Sequence, residues 1–285
     1  MTKEPSPIIE ASELLSIYQS DNVVLVDASG GKNAKVNYLK KHLDSALFVD
    51  VNTQLADIKE DLSKGGRHPL PTLQQFSETL SSLGISKKSH VVIYDDVNGA
   101  NAATRFWWML KAIGHNNVQV LNGGLNEAER MGFPVNSKIE TPRSVEPYET
   151  SAWKLPVADI TEVENVSQHN DYLVIDVRDR KRYNGETEPI DLIAGHIPGA
   201  INVPYTSNLD DQGLFLSPAE LKSKYQKIVD KVPSENIIVH CGSGVTACHT
   251  LLAFAIAELK IPKLYVGSWS EWSRNGKIIA TSPGK

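Results

Sequence analysis

Short apolar runs alternate along the chain with stretches whose apolar residues recur at helical spacing. Four runs are rich in Val, Ile and Leu and are typical of buried strands: 22–29, 89–96, 171–179 and 235–242. The segments 72–84 and 217–229 place apolar residues three and four positions apart, which predicts amphipathic helices. A third helix is predicted over 246–259, directly after the last of the four runs.

The helix at 217–229 also carries a start signal in its sequence. Ser217 as N-cap, Pro218 at the first helical position and Glu220 two positions later form the pattern of a capping box. Strands that alternate with helices predict an α/β fold, in which a mostly parallel sheet is covered by helices on both faces. In such sheets ligands bind beyond the carboxyl ends of the strands.

The pattern occurs twice, at an offset of about 150 residues, which is typical of a duplicated domain and not of a short-period repeat. Matching pairs are NVVLVDAS with DYLVIDVRD, HLDSALFVDVN with HIPGAINVPYT, SHVVIYDD with ENIIVHCG, and LNGGLNEAERMG with YVGSWSEWSRNG. The polar, proline-bearing segment between the copies predicts a linker. We therefore predict two tandem α/β domains, 1–138 and 157–285, joined by a linker at 139–156.

Composition narrows the classes of function. The chain is 41% hydrophobic and 22% charged, with a net charge of −5, which is typical of a globular protein and not of a general binder of nucleic acid or anionic membranes. No apolar run approaches the roughly 20 residues of a membrane span. The first residues lack the apolar region of a secretory signal, and the chain has only two cysteines. We expect a cytoplasmic protein.

Cys241 stands where a buried strand runs into a loop and a helix, in the sequence CGSGVT. The glycines Gly242 and Gly244 let the backbone turn tightly and direct consecutive N–H groups inward, which creates an anion-binding concavity. The following helix adds its unpaired first-turn N–H groups and the positive end of its dipole. The hydroxyl groups of Ser243 and Thr246 can donate as well, and Val245 completes the loop. These donors favour the thiolate of Cys241, the reactive form.

Two other interpretations of these cysteines are weaker. A structural cysteine prefers apolar neighbours, and this describes Cys248, which lies inside the apolar predicted helix, better than Cys241. A cysteine phosphatase needs arginine at the sixth position after the cysteine, where it grips phosphate oxygens. This chain has Ala247 there, and no Lys or Arg follows before Lys260. His240 and His249 do not have metal-ligand spacing to Cys241, and we expect neither a metal nor a cofactor.

The tandem repeat, the GHIPGA-type segments, VLNGGL, GSWSEW and CGSGVT together resemble the two-domain rhodanese superfamily over nearly the whole chain. The loop CGSGVT is most similar to that of the 3-mercaptopyruvate sulfurtransferases. The resemblance implies that Cys241 takes up a sulfane sulfur as a persulfide. It then passes this sulfur to cyanide, a small thiol or a thioredoxin-like acceptor. Thiosulfate is the alternative donor, and a non-catalytic regulatory protein is the alternative from another class.

The resemblance also implies residues that bind the donor. In DVRDRKRYNGETEP, Arg182 matches the arginine that binds the donor carboxylate. The second such arginine of the family is missing, since Ile190 stands after Glu-Pro, and Arg67 is a candidate substitute. His68 matches a histidine that is proposed to relay a proton with the counterpart of Ser243. The acidic member of that relay corresponds to Asn52, which cannot act as an acid.

The first copy differs at the decisive position, because Asp95 stands where the second copy has Cys241. A carboxylate cannot hold a sulfane sulfur and repels an anionic donor. We therefore expect the N-terminal domain to be catalytically inactive.

Overall fold

The computed structural model describes residues 5–282, and its internal contacts divide the chain into two compact units. The first unit contains the chain up to Ala56, Pro71–Lys154 and Asp211–Phe215. The second contains Asp57–Leu70, Leu155–Asp210 and the chain from Leu216 onward. Each unit therefore includes a short segment from the other half of the sequence. The domain boundaries that we drew along the sequence stay a prediction.

The first unit is built on a five-stranded sheet in the order β1-β6-β5-β2-β4, with every neighbouring pair parallel. A small antiparallel pair, β3 with β7, accompanies it. The strands are β1 (Ile8–Ile9), β2 (Val23–Asp27), β3 (His42–Leu43), β4 (Leu47–Phe48), β5 (His90–Tyr94), β6 (Val118–Leu121) and β7 (Val135–Asn136). The helices are α1 (Ala11–Ile17), α2 (Ala34–Lys40), α3 (Leu73–Ser82), α4 (Ala102–Ala112) and α5 (Gly124–Arg130).

The second unit repeats this plan with the parallel sheet β10-β9-β11-β12-β8. Its strands are β8 (Val157–Ala158), β9 (Leu173–Asp176), β10 (Ile201–Asn202), β11 (Ile237–His240) and β12 (Lys263–Tyr265). Its helices are α6 (Ile160–Val166), α7 (Arg180–Asn184), α8 (Pro218–Val229), α9 (Ala247–Ile256) and α10 (Ser268–Trp272), with 3₁₀ turns at Tyr205–Asn208 and Ser234–Asn236.

The predicted fold class is confirmed, since both sheets are parallel and flanked by helices. The two units also agree in detail at the ends of β2 and β9. Asp27 accepts from the N–H of Ser29 at 2.8 Å, and Asp176 accepts from the N–H of Arg178 at 2.9 Å. The central strand of each sheet, β5 or β11, leads at its carboxyl end into the loop that precedes α4 or α9. That is where ligands bind in sheets of this kind.

The helix boundaries follow from local chemistry. The capping box at Ser217 is present, and Thr72 with Gln75 forms a second one at the start of α3. The helix predicted over 246–259 is α9, but it ends earlier, at Ile256. Glu258 adopts a left-handed φ of 55°, which an α-helix cannot contain.

Each unit has an apolar core that includes residues of its own sheet. One cluster of the first unit contains Leu25, Leu43, Val92, Tyr94, Leu121 and Phe133. In the second unit, the cluster includes Val174, Ile197, Ile238, Tyr265, Trp269 and Trp272.

The segment that we predicted as a linker packs on the first unit as far as Lys154. Residues 137–156, all of which are described, form no helix or strand. Tyr148 nevertheless is buried, its carbonyl accepts from Ser77 Oγ, and Trp153 stacks with Trp108 at 6.4 Å between ring centroids. None of the helices formed by residues 5–282 has the length and apolar character that a membrane span requires.

Candidate active site

The loop of Cys241 leaves the central strand β11 and enters α9. Its strand, Ile237–His240, is fully buried between β9 and β12 and fixes the position at which the cysteine emerges. Gly244 has a φ of +72°, and a Cβ built there would lie 2.4 Å from the carbonyl oxygen of Val266. Glycine is therefore required by both the backbone angle and the close approach.

The turn before α10 supports this loop through backbone hydrogen bonds. The carbonyl of Cys241 accepts from the N–H of Trp269 at 3.0 Å, and the carbonyl of Gly242 accepts from that of Ser270 at 2.8 Å. The hydroxyl of Ser268 accepts from the N–H of Cys241 at 3.2 Å. These bonds hold the backbone of the loop in place. They also bring Trp269 next to Cys241.

The first unit shows what the N–H groups of such a loop bind. The Asp95 carboxylate accepts from the N–H groups of Val97, Gly99, Asn101 and Ala103, at 2.7–3.3 Å. Burial, opposed by these four bonds, raises the pKa of Asp95 to about 6. The cradle of the first unit is thus filled by the chain's own carboxylate.

The second unit has a cysteine at the matching position, and its cradle is not filled in this way. Ser243 and Val245 stand two and four residues after Cys241, as Val97 and Gly99 stand after Asp95. Among residues 5–282, the N–H groups of Ser243 and Val245 have no protein acceptor. Donors that bind a carboxylate in one unit are therefore available to another anion in the other.

Arg182 lies beside this loop and is oriented by acidic side chains. Its Nε and Nη2 atoms donate to the Glu188 carboxylate at 3.1 and 2.8 Å, and Nη2 also donates to Asp191 at 3.3 Å. Although burial opposes the charge, the hydrogen bonds with Glu188 raise the pKa of Arg182 further above its ordinary value. A Cβ built on Gly242 would lie 3.4 Å from Arg182 Nη2, so the guanidinium reaches the loop backbone.

Arg67 and His68 come from the segment that belongs to the second unit, and both reach the loop. Arg67 Nη2 would lie 3.0 Å from a Cβ at Gly242. His68 Nδ1 is 2.8 Å from the hydroxyl oxygen of Ser243. The structure therefore brings together every site residue that the sequence predicts: Cys241, Gly242, Ser243, Gly244, Val245, Thr246, Arg182, Arg67 and His68. Asn52, by contrast, belongs to the first unit.

A pocket of about 220 Å³ opens beside the cysteine. Its lining includes Arg178, Arg182, Tyr205, Cys241, Gly242 and Thr246. Among residues 5–282, no group of three or more His, Cys, Asp or Glu side chains could hold a metal ion.

Sequence reasoning missed the group that gathers the arginines. The Asp191 side chain has no exposed surface and accepts from Arg67 Nε at 3.1 Å, from Arg274 Nη1 at 3.0 Å and from Arg182. Burial raises the pKa of its carboxyl, but the hydrogen bonds from Arg67 and Arg274 outweigh this and leave it below its ordinary value. The sequence did contain a signal for this residue. Asp191 is acidic and directly follows Ile190, the position at which the second arginine of the family is missing.

Comparison with known proteins agrees with this architecture. The family model described as "Rhodanese-like domain" matches residues 10–130 and 159–275. The chain belongs to the rhodanese-like family. It is 36% identical over 291 residues to the 3-mercaptopyruvate sulfurtransferase of Mus musculus, with 96% of this chain and 94% of the mouse protein covered.

Two further rhodanese-like relatives extend the comparison. The thiosulfate sulfurtransferase of Rattus norvegicus is 35% identical over 259 residues, covering 88% of this chain and 84% of the rat protein. The structure of the 3-mercaptopyruvate sulfurtransferase from Leishmania major matches with a TM-score of 0.80 at 29% identity. That match covers 95% of this chain and 75% of the Leishmania chain. The predicted family is confirmed.

Proposed function

We propose that this protein is a sulfurtransferase in which Cys241 carries the transferred sulfur as a persulfide. The observation that supports this most directly is the contrast between the two loops. The N–H groups that bind the Asp95 carboxylate in the first unit have counterparts at Ser243 and Val245 with no protein acceptor. A persulfide anion on Cys241 carries its charge on the outer sulfur, and these donors stabilise such a charge.

The proposed donor is 3-mercaptopyruvate. The Cys241 thiolate attacks the donor sulfur, so that an S–S bond forms and the donor C–S bond breaks. The electron pair of the C–S bond leaves on carbon as the enolate of pyruvate. This enolate takes the proton of the transferred S–H group, which leaves the persulfide anion and pyruvate. Cyanide then attacks the outer sulfur, which gives thiocyanate and restores the Cys241 thiolate. A thiol acceptor would leave as its own persulfide.

Arg182 is the proposed partner of the donor carboxylate. It lies in the lining of the pocket that contains Cys241, and Glu188 holds its guanidinium through two hydrogen bonds. A charge-assisted contact of this type contributes about 1.5–3 kcal/mol. 3-Mercaptopyruvate carries its carboxylate at one end and its thiol at the other. Binding of the carboxylate to Arg182 would therefore orient the donor sulfur toward Cys241.

His68 and Ser243 are the proposed pair for moving the proton. Their contact of 2.8 Å is within hydrogen-bond distance, and Ser243 is two residues from the cysteine. With Asn52 at the position of the acidic partner, the pair would act without a carboxylate. The first unit takes no part in transfer in this proposal, since Asp95 occupies its own cradle.

Thiosulfate is the second candidate donor, because relatives that are named for either donor match over most of the chain. The loop favours the ketoacid, since no basic side chain follows Cys241 before Lys260. The acceptor would be cyanide, a small thiol or a thioredoxin-like protein. Both cysteines are free, which supports a reducing, cytoplasmic location for the protein. A regulatory protein without activity would not need an intact cysteine loop.

The decisive experiment replaces each cysteine in turn. Cys241→Ser should abolish transfer from 3-mercaptopyruvate to cyanide, whereas Cys248→Ser, buried inside α9, should keep most of it. Mass spectrometry after donor treatment should find one added sulfur atom on the Cys241 peptide alone. Turnover by Cys241→Ser, or an adduct on Cys248, would contradict the proposal.

A further inference from the structure

Ser268, the first residue of α10, holds a left-handed backbone angle. Its φ is 53°, and none of its surface is exposed. Residues other than glycine rarely adopt such an angle, because the Cβ atom crowds the backbone, and those that do adopt it cluster at functional sites. The strain indicates that the side chain of Ser268 makes a contact that glycine could not make.

The first unit contains the same turn with glycine at this position. In the repeat, Gly124 stands where the second unit has Ser268, and its φ is +61°. The residue after Gly124 donates its N–H to the Asp95 carbonyl at 3.0 Å, just as Trp269 donates to the Cys241 carbonyl at 3.0 Å. The turn and its main hydrogen bond thus form with glycine, so the fold does not require the serine.

The hydroxyl of Ser268 supplies two hydrogen bonds that glycine lacks. It donates its proton to the Tyr265 carbonyl at 2.8 Å, and its oxygen accepts from the Cys241 N–H at 3.2 Å. Both bonds are buried, where a peptide N–H without an acceptor is costly. The side chain therefore links the turn before α10 to the peptide group between His240 and Cys241.

Both peptide groups that flank the Cα of Cys241 are held by neighbouring residues. Its N–H is bound by Ser268, whereas its carbonyl accepts from the N–H of Trp269 at 3.0 Å and lies 3.2 Å from His240 Nδ1. Since a peptide group is planar, fixing both groups fixes φ and ψ of the residue between them. These two angles set the direction of the Cβ atom and so limit where the sulfur can lie.

We infer that Ser268 is a positioning residue for the sulfur of Cys241. Its hydroxyl holds the preceding peptide group so that the sulfur faces the N–H groups of Ser243 and Val245, which have no protein acceptor among residues 5–282. The inference rests on the proposed function, since it concerns the atom that would carry the transferred sulfur. The strained angle at Ser268 is the cost of this alignment.

Two variants separate the hydroxyl from the strain. Ser268→Ala removes the hydroxyl and keeps a side chain at the left-handed angle, whereas Ser268→Gly removes both. The glycine variant should unfold about 2–4 °C above the alanine variant, because glycine adopts this angle without strain. If the hydroxyl positions the sulfur, the two variants should nevertheless lose activity to the same extent.

The measurement is single-turnover formation of the Cys241 persulfide at increasing concentrations of 3-mercaptopyruvate. Both variants should lose about 3- to 10-fold in the limiting rate, the effect of one hydrogen bond between neutral groups. The half-saturating concentration should stay within about twofold, because Ser268 has no exposed surface with which to touch the donor. Ser273→Ala is the matched control and should keep the wild-type rate. It removes a buried hydroxyl of the same segment that has no hydrogen-bond partner in the described part of the chain.

A wild-type limiting rate in Ser268→Gly would overturn the inference. So would a loss confined to Ser268→Ala, which would follow the strain and not the hydroxyl, or an equal loss in Ser273→Ala. Failure of the proposed function looks different, since wild-type protein would then form no persulfide at Cys241, and the inference would fall with it. Thermal unfolding accompanies each assay, and Ser268→Gly decides the matter if Ser268→Ala does not fold.

Discussion

The shape of the cysteine loop depends on Gly244. The left-handed angle favours glycine, and the carbonyl of Val266 occupies the space of a side chain. Because that obstacle is backbone and not a flexible side chain, it cannot move aside without disturbing the turn that supports Cys241. The loop is therefore specified by sterics at this position as well as by hydrogen bonds.

We predict that Gly244→Ala lowers both stability and transfer. The strain of such a backbone position is on the order of 1–3 kcal/mol, and the contact at 2.4 Å adds to it. Gly276→Ala is the control, because Gly276 has a similar φ of +61° and nothing within 4 Å of its Cβ position. Thermal unfolding and turnover should both suffer more in Gly244→Ala. Equal losses in the two variants would show that the close contact is unimportant.

At the scale of elements, the strand–loop–helix unit occurs twice with opposite outcomes. After β5 the loop wraps its N–H groups around Asp95, and the carboxylate is fully buried. After β11 the same unit presents a thiol and keeps N–H groups available. The residue at the end of the strand, Asp95 or Cys241, thus distinguishes a structural loop from a candidate catalytic loop at equivalent places in the two units.

The Asp95 loop should make the stability of the first unit depend on pH. Burial raises the pKa of the Asp95 carboxyl from 3.8 to about 6, so the folded state holds this proton more tightly than the unfolded chain does. Its contribution to stability is therefore full below about pH 4 and is lost as the pH rises through about 6. The difference in unfolding free energy between wild type and Asp95→Ala should fall across that window, by on the order of 3 kcal/mol. Unfolding at several pH values measures it.

Turnover supplies the control for that experiment. Since the Asp95 loop holds no sulfur in the proposed function, Asp95→Ala should leave kcat/KM within about twofold at pH 7. A loss greater than about tenfold, roughly 1.4 kcal/mol of transition-state stabilisation, would contradict the inactivity of the first unit. A difference in stability that does not change with pH would contradict the titration.

Elements were predictable where the signal is local, and the site was predictable only in part. Apolar runs and capping residues announce strands and helices because each signal lies within a few neighbouring residues. Arg274 shows the limit. In the sequence it matches Arg130, which binds Glu127 of its own helix, but in the structure it binds Asp191. Such a choice between partners depends on packing in three dimensions, which repeat alignment does not contain.

At the scale of the whole molecule, the candidate active site is a positive region on an acidic protein. The chain carries a net charge of −5. Beside the cysteine loop, however, four arginines face three carboxylates, which leaves one positive charge in excess: Arg67, Arg178, Arg182 and Arg274 with Asp176, Glu188 and Asp191. An anionic donor is therefore attracted to the site although the protein as a whole is acidic, and the charge of the donor must match what the site can neutralise. A buried charge without a partner is costly, so a surplus on the ligand weakens binding.

This balance predicts the preferred donor. 3-Mercaptopyruvate brings one negative charge beside the Cys241 thiolate, whereas thiosulfate brings two, and only one positive charge is in excess there. Wild-type kcat/KM should be higher for 3-mercaptopyruvate than for thiosulfate, with cyanide as acceptor in both assays. Arg182→Ala should reduce this difference in kcat/KM, because the variant loses the guanidinium that Glu188 orients for the donor carboxylate. Its KM should therefore rise more for 3-mercaptopyruvate than for thiosulfate. A wild-type preference for thiosulfate would refute the charge argument. So would an Arg182→Ala variant that is as active as wild type with each of the two donors.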